Sequence, residues 1–377
     1  MSQDDGAAEA EATVRVPMNI ALVKYWGKRD DLLILPLNDS ISLTVDRLTA
    51  ETTIRMVPGV GKHTVEINGK SVELSSNKRY QTVFDEALRL QRKRKEAEAS
   101  SADSNGNDPP PIFYHFHVTS TTNFPVAAGL ASSAAGFAAI ALAIQRILRL
   151  DDSQANRLAR IGSGSACRSM YGGLVHWRKG EMDDGSDCLA VRTEAAANWE
   201  DLYCIILVFD DGRKKVGSSE GMRRSRETSQ LLKHRIESIV PQRIQQIQEA
   251  YTSRNFEQLA RVIMADSNQF HAVCMDSTPP IRYLNEASWQ LIDTVEEFNI
   301  GGIRAAYTFD AGPNACVIVQ KENASQFLKA VLQTIQVPSE DLQVIGKELA
   351  EQFDVPAEPT TKCSKLIMSP MGGGPQE

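Results

Sequence analysis

Short runs in which apolar and polar residues alternate are concentrated in the first half of the chain, and they predict β-strands there. The predicted strands lie at 14–23, 42–45, 52–57, 63–67, 113–119 and 174–178. A helix is predicted over 77–98, and a shorter one over 153–161. The polar segment 100–111, which contains Ser, Asn, Asp and Pro, predicts a flexible surface insertion between helix and strand.

Longer patterns with helical spacing dominate the second half. Helices are predicted over 231–251, 255–270, 281–298 and 324–335. Strands are predicted over 203–209, 305–309, 315–320 and 365–369. Because strands mix with helices and hairpins rather than alternating regularly with helices, the pattern predicts an α+β fold.

Residues 125–136 form a small-residue loop that opens directly onto an apolar, Ala-rich helix. Such a junction presents unpaired backbone N–H groups and the positive end of a helix dipole to an anion. Ser132 and Ser133 offer oxygens to a phosphate or its metal ion. The loop lacks the Gly-Lys-Ser/Thr ending of a Walker loop and the glycine spacing of a dinucleotide site. By itself the segment fits both a phosphate cradle and the start of a buried helix.

Composition narrows the class of protein. The chain has 377 residues, a formal net charge of −7 and six scattered cysteines. An acidic balance argues against broad nucleic-acid or membrane-surface binding, although a local basic pocket can still hold an anionic substrate. The cysteine spacing suggests neither a zinc site nor a disulfide framework. With no signal-like start and no long apolar run, we expect a soluble cytoplasmic protein with reduced thiols.

A cationic cluster follows the first predicted strand, in the segment 19–30. Lys24 and Lys28 suit phosphate oxygens as point charges, and the Tyr25 hydroxyl can hydrogen-bond one. The alternative is a strand end with solvated lysines and a packed Trp26.

Two glycine-containing segments add further polar groups. In 162–169, Ser163, Ser165 and Arg168 make a plausible receptor for a carboxylate or diphosphate, and a flexible linker is the alternative. In 306–315 a strand stops at Asp310 before an Ala-Gly-Pro-Asn turn. That aspartate either caps its own turn or serves as a base or an orienting group for a hydroxyl. The segment 214–222 is best interpreted alone as a surface loop that opens a helix.

Taken in order, these segments and Asp-Ser-Asn-Gln-Phe-His at 266–271 resemble the diphosphomevalonate decarboxylase family of the GHMP kinase superfamily. The match covers nearly the whole chain. It implies a GHMP kinase-like fold of two lobes around a central cleft. The N-terminal lobe, at 13–200, is ribosomal-protein-like, and the C-terminal lobe, at 201–377, is an α/β sandwich.

The resemblance also implies an activity. ATP, Mg²⁺ and (R)-5-diphosphomevalonate give isopentenyl diphosphate, CO₂, ADP and phosphate through phosphorylation of the 3-hydroxyl. The reaction belongs to the mevalonate route to isoprenoids and sterols, and relatives imply a homodimer. From the acidic balance we expect no membrane or nucleic-acid partner. Two alternatives are a kinase that stops at the 3-phosphate and a non-catalytic ligand- or nucleic-acid-binding protein on a related fold.

Site residues follow from the same resemblance. Asp310, Arg168 and Lys24 are the implied catalytic groups, and Arg168 is expected to pair with Asp310 and with the substrate carboxylate. That pairing would keep Asp310 ionised and suited to orienting the hydroxyl. The implied substrate-binding residues are Tyr25, Trp26, Gly27, Lys28, Arg79, Ser163, Gly164, Ser165, Ala166, Cys167, Arg168, Ser218 and Ser219.

The implied ATP-binding residues are Asn123, Pro125, Ala128, Gly129, Leu130, Ser132 and Ser133. No glutamate matches the superfamily's Mg²⁺ ligand. The ion is therefore expected to bind ATP phosphates and water, with Ser132 or Ser133 as the protein ligand.

Overall fold

The structure, a computed structural model, describes residues 9–101, 113–124, 132–193, 199–210, 212, 214–353, 359 and 361–377. The helices are α1 Lys78–Ser101, α2 Ser132–Leu148, α3 Asp152–Gly162, α4 Ser218–Thr228, α5 Gln230–His234, α6 Val240–Thr252, α7 Phe256–Asp276, α8 Glu286–Phe298, α9 Lys321–Thr334 and α10 Ser339–Leu349. The first strands are β1 Ala10–Val23, β2 Lys28–Asp30, β3 Leu35–Pro36, β4 Ser40–Pro58, β5 Thr64–Ile67, β6 Lys70–Ser71, β7 Tyr114–Thr122, β8 Leu174–Trp177 and β9 Ala190–Arg192. The remaining strands are β10 Leu202–Val208, β11 Ala305–Phe309, β12 Ala315–Gln320, β13 Ile335–Gln336, β14 Thr361–Lys362 and β15 Lys365–Pro370. The predicted α+β class is confirmed.

The larger sheet is organised around β4. Strand β1 pairs antiparallel with β4 along one side, while β7 and β8 pair with different parts of its other side. The prediction of two strands at 42–45 and 52–57 was wrong, because one continuous strand runs through both. Pro17 pairs with Thr49 and Met18 pairs with Val45, so β4 has a bulge at 46–48. The bulge contains the polar residues Asp46 and Arg47. That bulge interrupts the alternation in the sequence without ending the strand.

Helices α1, α2 and α3 cover one face of this sheet. Alanines of α2 are buried throughout, and the aromatic rings of Phe84, Phe116 and Phe137 lie in the same core. Small side chains along α2 let the helix approach β1 and β4 closely. The predicted buried, Ala-rich helix is therefore confirmed from Ser132 onward, and the loop before it lies outside the described residues.

The smaller sheet is antiparallel, in the order β11-β12-β10-β15. One face contributes to a core shared with β1, β4, α6 and α7, and the other packs against α8, α9 and α10. The predicted helix over 231–251 is divided, because a wider π-helical turn at Arg235–Ile239 separates α5 from α6. The helix predicted from 281 begins only at Glu286, and α10 was not predicted at all.

The C-terminal tail returns to the larger sheet. Met371 is bridged to Val45, and the backbones of Arg15 and Gln376 exchange hydrogen bonds of 2.9 and 2.8 Å. Strands of the larger sheet thus come from 10–192, those of the smaller from 202–370, and the tail joins the two. The division into lobes at 200–201 stays a prediction.

Candidate active site

A buried lysine and a partly exposed aspartate form the centre of the candidate site. Lys24 directly follows β1, and Asp310 directly follows β11. Lys24 Nζ lies 2.7 Å from Asp310 Oδ1, with the two side chains 3% and 27% exposed. An ammonium group with so little access to water requires a counter-ion, and Asp310 supplies it. The exposed part of the carboxylate remains accessible to a ligand.

Arg168 lies close to this pair but does not take the predicted role of its partner. Among the described residues, no ion pair within 4.0 Å joins Arg168 to Asp310; the prediction of that contact was wrong, because Lys24 takes the carboxylate. Arg168 Nη1 instead donates to Ser40 Oγ at 2.7 Å and Nε to Asn19 Oδ1 at 3.2 Å. Burial lowers the pKa of Arg168, while the charge of Asp310 acts in the opposite direction.

Asn19 orients Arg168 and was not among the predicted site residues. Its Nδ2 donates to the Ser169 hydroxyl at 2.8 Å and to the Ser165 carbonyl at 3.1 Å, while its Oδ1 accepts from Arg168. The side chain is almost fully buried within an otherwise apolar stretch of β1. A polar residue at such a position is the sequence signal that points to a buried hydrogen-bonding role.

Tyr25 borders the same region. Its ring packs edge-on against Trp177 with centroids 4.8 Å apart, and its buried hydroxyl has no hydrogen-bond partner among the described residues. Burial, with a smaller contribution from Asp31, raises the pKa of Tyr25, so the phenol stays protonated. A Cβ on Gly164 would lie 3.0–3.1 Å from Trp177, Ile34 and Tyr25, which explains the glycine there.

The Trp26 side chain packs into a core formed by the C-terminal half. Its indole Nε1 donates to Ser225 Oγ at 2.9 Å, and its ring packs edge-on against Phe270 at 4.8 Å and Tyr283 at 6.0 Å. This is the packed tryptophan of the alternative interpretation. Contact between the Trp26 side chain and the substrate stays a prediction. What the structure shows is that this side chain fixes the segment after β1 to the C-terminal half.

Gly27 and Lys28 shape the turn that follows. Gly27 has a φ of +94°, and a Cβ would lie 2.6 Å from Leu37 Cδ1, so this position requires glycine. Lys28 Nζ lies 3.2 Å from Asp31 Oδ1. Lys28 is therefore paired locally, and its predicted contact with a diphosphate requires it to exchange partners.

The two segments that were predicted to bind anions meet in the structure. The hydroxyls of Ser133, in the first turn of α2, and Ser163, at the end of α3, lie 3.1 Å apart. A Cβ on Gly162 would lie 2.2 Å from the Phe137 ring, so glycine permits this close approach. The guanidinium of Arg79 lies 5.3 Å from the centre of the same ring. Arg79, Ser133 and Ser163 therefore share one region.

The next residues form a 3₁₀ turn at Gly164–Met170. Ala166 and Cys167 are buried, the Cys167 thiol donates to the Gly164 carbonyl at 3.0 Å, and burial raises the pKa of Cys167 to about 12. Their side chains thus face the core rather than a ligand. If Ala166 and Cys167 contact the substrate as predicted, they do so through their backbone atoms.

The predicted ATP residues are only partly described. Asn123 Oδ1 accepts from the Thr49 N–H at 2.9 Å and Nδ2 donates to the Arg47 carbonyl at 2.7 Å, so its side chain ties β7 to β4. An ATP contact by Asn123 stays a prediction. The others, except Ser133, lie outside the described residues or have no described side chain: Pro125, Ala128, Gly129, Leu130 and Ser132.

The segment that leads into α4 also comes near Asp310. Lys214 is partly buried, and burial lowers its pKa while the charge of Asp310 opposes that shift. Ser218 and Ser219 form the first turn of α4, with Ser218 half-buried and Ser219 exposed. The prediction that 214–222 opens a helix is confirmed. The cationic neighbour of Asp310 at Lys214 was missed, because only the fold brings it near.

The residues that the structure describes contain no group of three or more His, Cys, Asp or Glu side chains that could hold a metal ion. No described helix is long and apolar enough to cross a membrane. All six cysteines are free and buried.

Comparisons with known proteins cover nearly the whole chain. Residues 16–190 match the model of the diphosphomevalonate decarboxylase-like N-terminal domain, and residues 204–377 match that of the mevalonate 5-diphosphate decarboxylase C-terminal domain. A diphosphomevalonate decarboxylase of Ganoderma lucidum is 43% identical over 332 residues, which are 85% of this chain and 81% of that protein.

Solved structures are similar to the chain over the same extent. The mevalonate diphosphate decarboxylase from Trypanosoma brucei superposes with a TM-score of 0.84 at 32% identity, covering 97% of each chain. The structure of MDDEF in complex with MVAPP, AMPPCP and magnesium has a TM-score of 0.74 at 31% identity, covering 98% of this chain and 99% of that one. The GHMP kinase-like fold is thereby shown.

Proposed function

The chain belongs to the diphosphomevalonate decarboxylase family, and we propose that it converts (R)-5-diphosphomevalonate and ATP into isopentenyl diphosphate, CO₂, ADP and phosphate. The observation that carries the proposal is the Lys24–Asp310 ion pair, with Arg168 near enough for its charge to interact with that of Asp310. These three groups supply an acceptor for a hydroxyl proton and cations for an anionic substrate.

Asp310 orients the 3-hydroxyl in the first step. One carboxylate oxygen is engaged by Lys24, and the other accepts a hydrogen bond from the hydroxyl. The oxygen of that hydroxyl attacks the terminal phosphorus of ATP, its proton passes to Asp310, and ADP departs. Because Lys24 holds the carboxylate in one orientation, the hydroxyl is aligned before the bond forms.

Arg168 acts in the second step by holding the substrate carboxylate. Asn19 and Ser40 hold its Nε and Nη1, so the guanidinium is already oriented when the substrate arrives. The C3–O bond then breaks and phosphate leaves. The C1–C2 bond breaks, and its electron pair forms the C2–C3 double bond as CO₂ departs. A tertiary hydroxyl is a poor leaving group, which explains the requirement for prior phosphorylation.

The start of α2 fits ATP and Mg²⁺. The unpaired N–H groups of its first turn favour phosphate, and the Ser133 hydroxyl lies beside that of Ser163. A related structure holds MVAPP, AMPPCP and magnesium together. We assign ATP phosphates to residues 125–133, with the Ser132 or Ser133 hydroxyl as the protein ligand of Mg²⁺. The bound ion would neutralise charge on the transferring phosphoryl group.

The wider setting belongs to the same proposal. The product would supply isoprenoid and sterol synthesis through the mevalonate pathway. A homodimer in the cytoplasm is also proposed, and the free, buried cysteines support a reducing compartment. Light scattering of the purified protein and cell fractionation test these two points.

A product assay tests the reaction. Purified protein is incubated with ATP, Mg²⁺ and (R)-5-diphosphomevalonate labelled in the carboxyl group, and ADP and labelled CO₂ are counted. Equal amounts of the two products are expected. ADP with a stable 3-phosphate and no CO₂ would identify the kinase alternative. Neither product, together with tight RNA binding at physiological salt, would identify the non-catalytic one.

A further inference from the structure

The main chain of Lys24 is held by a buried ion pair that no step of the proposed reaction uses. Asp266 Oδ2 accepts from the Lys24 N–H at 2.8 Å, and Arg235 Nη2 donates to the Lys24 carbonyl at 3.1 Å. Both side chains are 0% exposed. One pair of side chains therefore holds both hydrogen-bonding groups of the Lys24 backbone.

The ion pair itself is bidentate. Arg235 Nη1 and Nη2 donate to the two oxygens of Asp266 at 2.8 and 2.9 Å, and Arg243 adds a third contact at 2.9 Å. Burial alone would raise the pKa of Asp266, but Arg235, Arg243 and the Lys24 N–H together lower it below its ordinary value. The carboxylate thus stays ionised, in a fixed orientation toward Lys24.

The same helix contacts the strand end that carries Asp310. Ser267 Oγ accepts from the N–H of Phe309, the residue before Asp310, at 3.1 Å. One turn later, the His271 ring packs edge-on against the ring of Phe309, with centroids 6.3 Å apart. Residues four apart lie on one face of a helix, so Ser267 and His271 contact Phe309 side by side.

We propose that α7 sets the separation between Lys24 and Asp310, with Asp266 and Ser267 as positioning residues for them. The helix packs against both β1 and β11, the strands that precede the two groups. The catalytic consequence rests on the proposed function. The geometric consequence, which is the 2.7 Å contact between Lys24 and Asp310, does not depend on the proposed function.

A purely structural ion pair would behave differently. Breaking a buried ion pair lowers the free energy of unfolding, with no necessary effect on the molecules that remain folded. A positioning residue instead changes kcat of the folded enzyme. The useful measurement therefore compares two variants by their kcat and KM per folded molecule. One variant replaces Asp266, and the other replaces a buried, ion-paired aspartate elsewhere in the protein.

Asp341 is that matched control. It lies in α10, is almost fully buried, and accepts from Lys365 Nζ at 2.6 Å and from the Leu366 N–H at 2.8 Å. For Asp266→Asn we expect kcat to fall about 100-fold, with KM for ATP near the wild-type value. For Asp341→Asn we expect reduced stability but wild-type kcat per folded molecule. Equal kcat in the two variants would overturn the proposal.

Ser267→Ala is a milder second variant if Asp266→Asn does not fold. It removes only the acceptor of the Phe309 N–H, and we expect a roughly ten-fold loss of kcat. Ser369→Ala is its control, because the buried Ser369 hydroxyl accepts from the Arg47 N–H at 3.0 Å in the same manner. The same kcat for Ser267→Ala as for Ser369→Ala would contradict the proposal.

A crystal structure of whichever α7 variant folds separates this proposal from the proposed function. The distance from Lys24 Nζ to the Asp310 carboxylate should exceed about 3.5 Å in the variant, beyond hydrogen-bond range. An unchanged contact would overturn the positioning role even if the wild type is an active decarboxylase. Inactive wild-type protein with a lengthened contact would instead overturn only the proposed function.

Discussion

Lys24 and Asp310 are 286 positions apart in the chain, yet their side chains form a 2.7 Å ion pair. One follows a strand of the larger sheet and the other a strand of the smaller sheet. The charged centre of the site therefore exists only when both sheets are packed together.

Replacing Asp310 tests the role of its carboxylate. Asp310→Ala is expected to lower kcat by about 10²–10⁴-fold, because it removes the acceptor of the hydroxyl proton. Nucleotide binding, measured by calorimetry, should persist. Asp310→Asn, which keeps the shape of the side chain, separates loss of charge from loss of packing. A near-normal kcat in both variants would remove Asp310 from the chemistry.

Arg168→Gln is expected to lower kcat/KM for diphosphomevalonate by at least about ten-fold, because the cation that faces the substrate carboxylate is lost. Ser40→Ala removes the 2.7 Å contact to Nη1 but keeps the guanidinium, so it separates loss of the cation from loss of its orientation. Its kcat/KM should fall less than that of Arg168→Gln, with a cost of about 1.5–3 kcal/mol in stability. Steady-state kinetics and urea unfolding measure the two effects. Unchanged kcat/KM in Arg168→Gln would reassign the carboxylate contact.

His271 predicts a specific pH dependence of stability. Burial and the charge of Lys24 lower the pKa of His271 to about 3, against about 6.5 in an unfolded chain. Between these values the unfolded chain binds a proton that the folded protein does not. Stability is therefore lost as pH falls below about 6.5, by up to about 1.4 kcal/mol per pH unit.

His271→Phe should remove that slope, and urea unfolding between about pH 7 and pH 5 measures it. His234→Gln, at an exposed position of α5, is the control and should unfold with the wild-type pH dependence. An identical slope in the wild type and His271→Phe would show that His271 is not the group responsible.

Gly27→Ala is expected to destabilise the protein by about 1–3 kcal/mol, because alanine is strained at a φ of +94° and its Cβ would overlap Leu37. Gly136→Ala is the opposite case. This glycine lies inside α2 with open space beside it, so alanine should stabilise by roughly 0.8–1 kcal/mol. Free energies of unfolding in urea test both. If both substitutions changed the free energy of unfolding by the same amount in the same direction, the backbone conformation of Gly27 would not explain its requirement for glycine.

Local signals predicted most of the elements but not their pairing. The end of a strand at Asp310 and the helical period of α7 are both visible within a few residues. Where polar Asp46 and Arg47 interrupt β4, however, the strand continues through a bulge that depends on β1. Tertiary pairing there overrides a local break, which no short window of sequence contains.

The candidate site shows the same division. The types of the residues and their neighbours in the sequence identified Lys24, Arg168 and Asp310 as candidates. Which of the two cations pairs with Asp310 depends on which one the fold places within contact distance of the carboxylate, and that is Lys24. Lys214 was missed for a related reason, since its segment resembles a surface loop until the fold places it near Asp310. Charge partners separated by hundreds of residues are properties of packing, not of spacing.

The returning C-terminal tail has a consequence for how this architecture can be recombined. Because Met371 and Gln376 complete backbone pairing with Val45 and Arg15, the halves before and after residue 200 are interlocked rather than joined end to end. Chimaeras that exchange one half between relatives must therefore preserve a tail that matches the foreign β1 and β4. The smallest unit that can be exchanged without breaking this pairing therefore contains both sheets and the C-terminal tail.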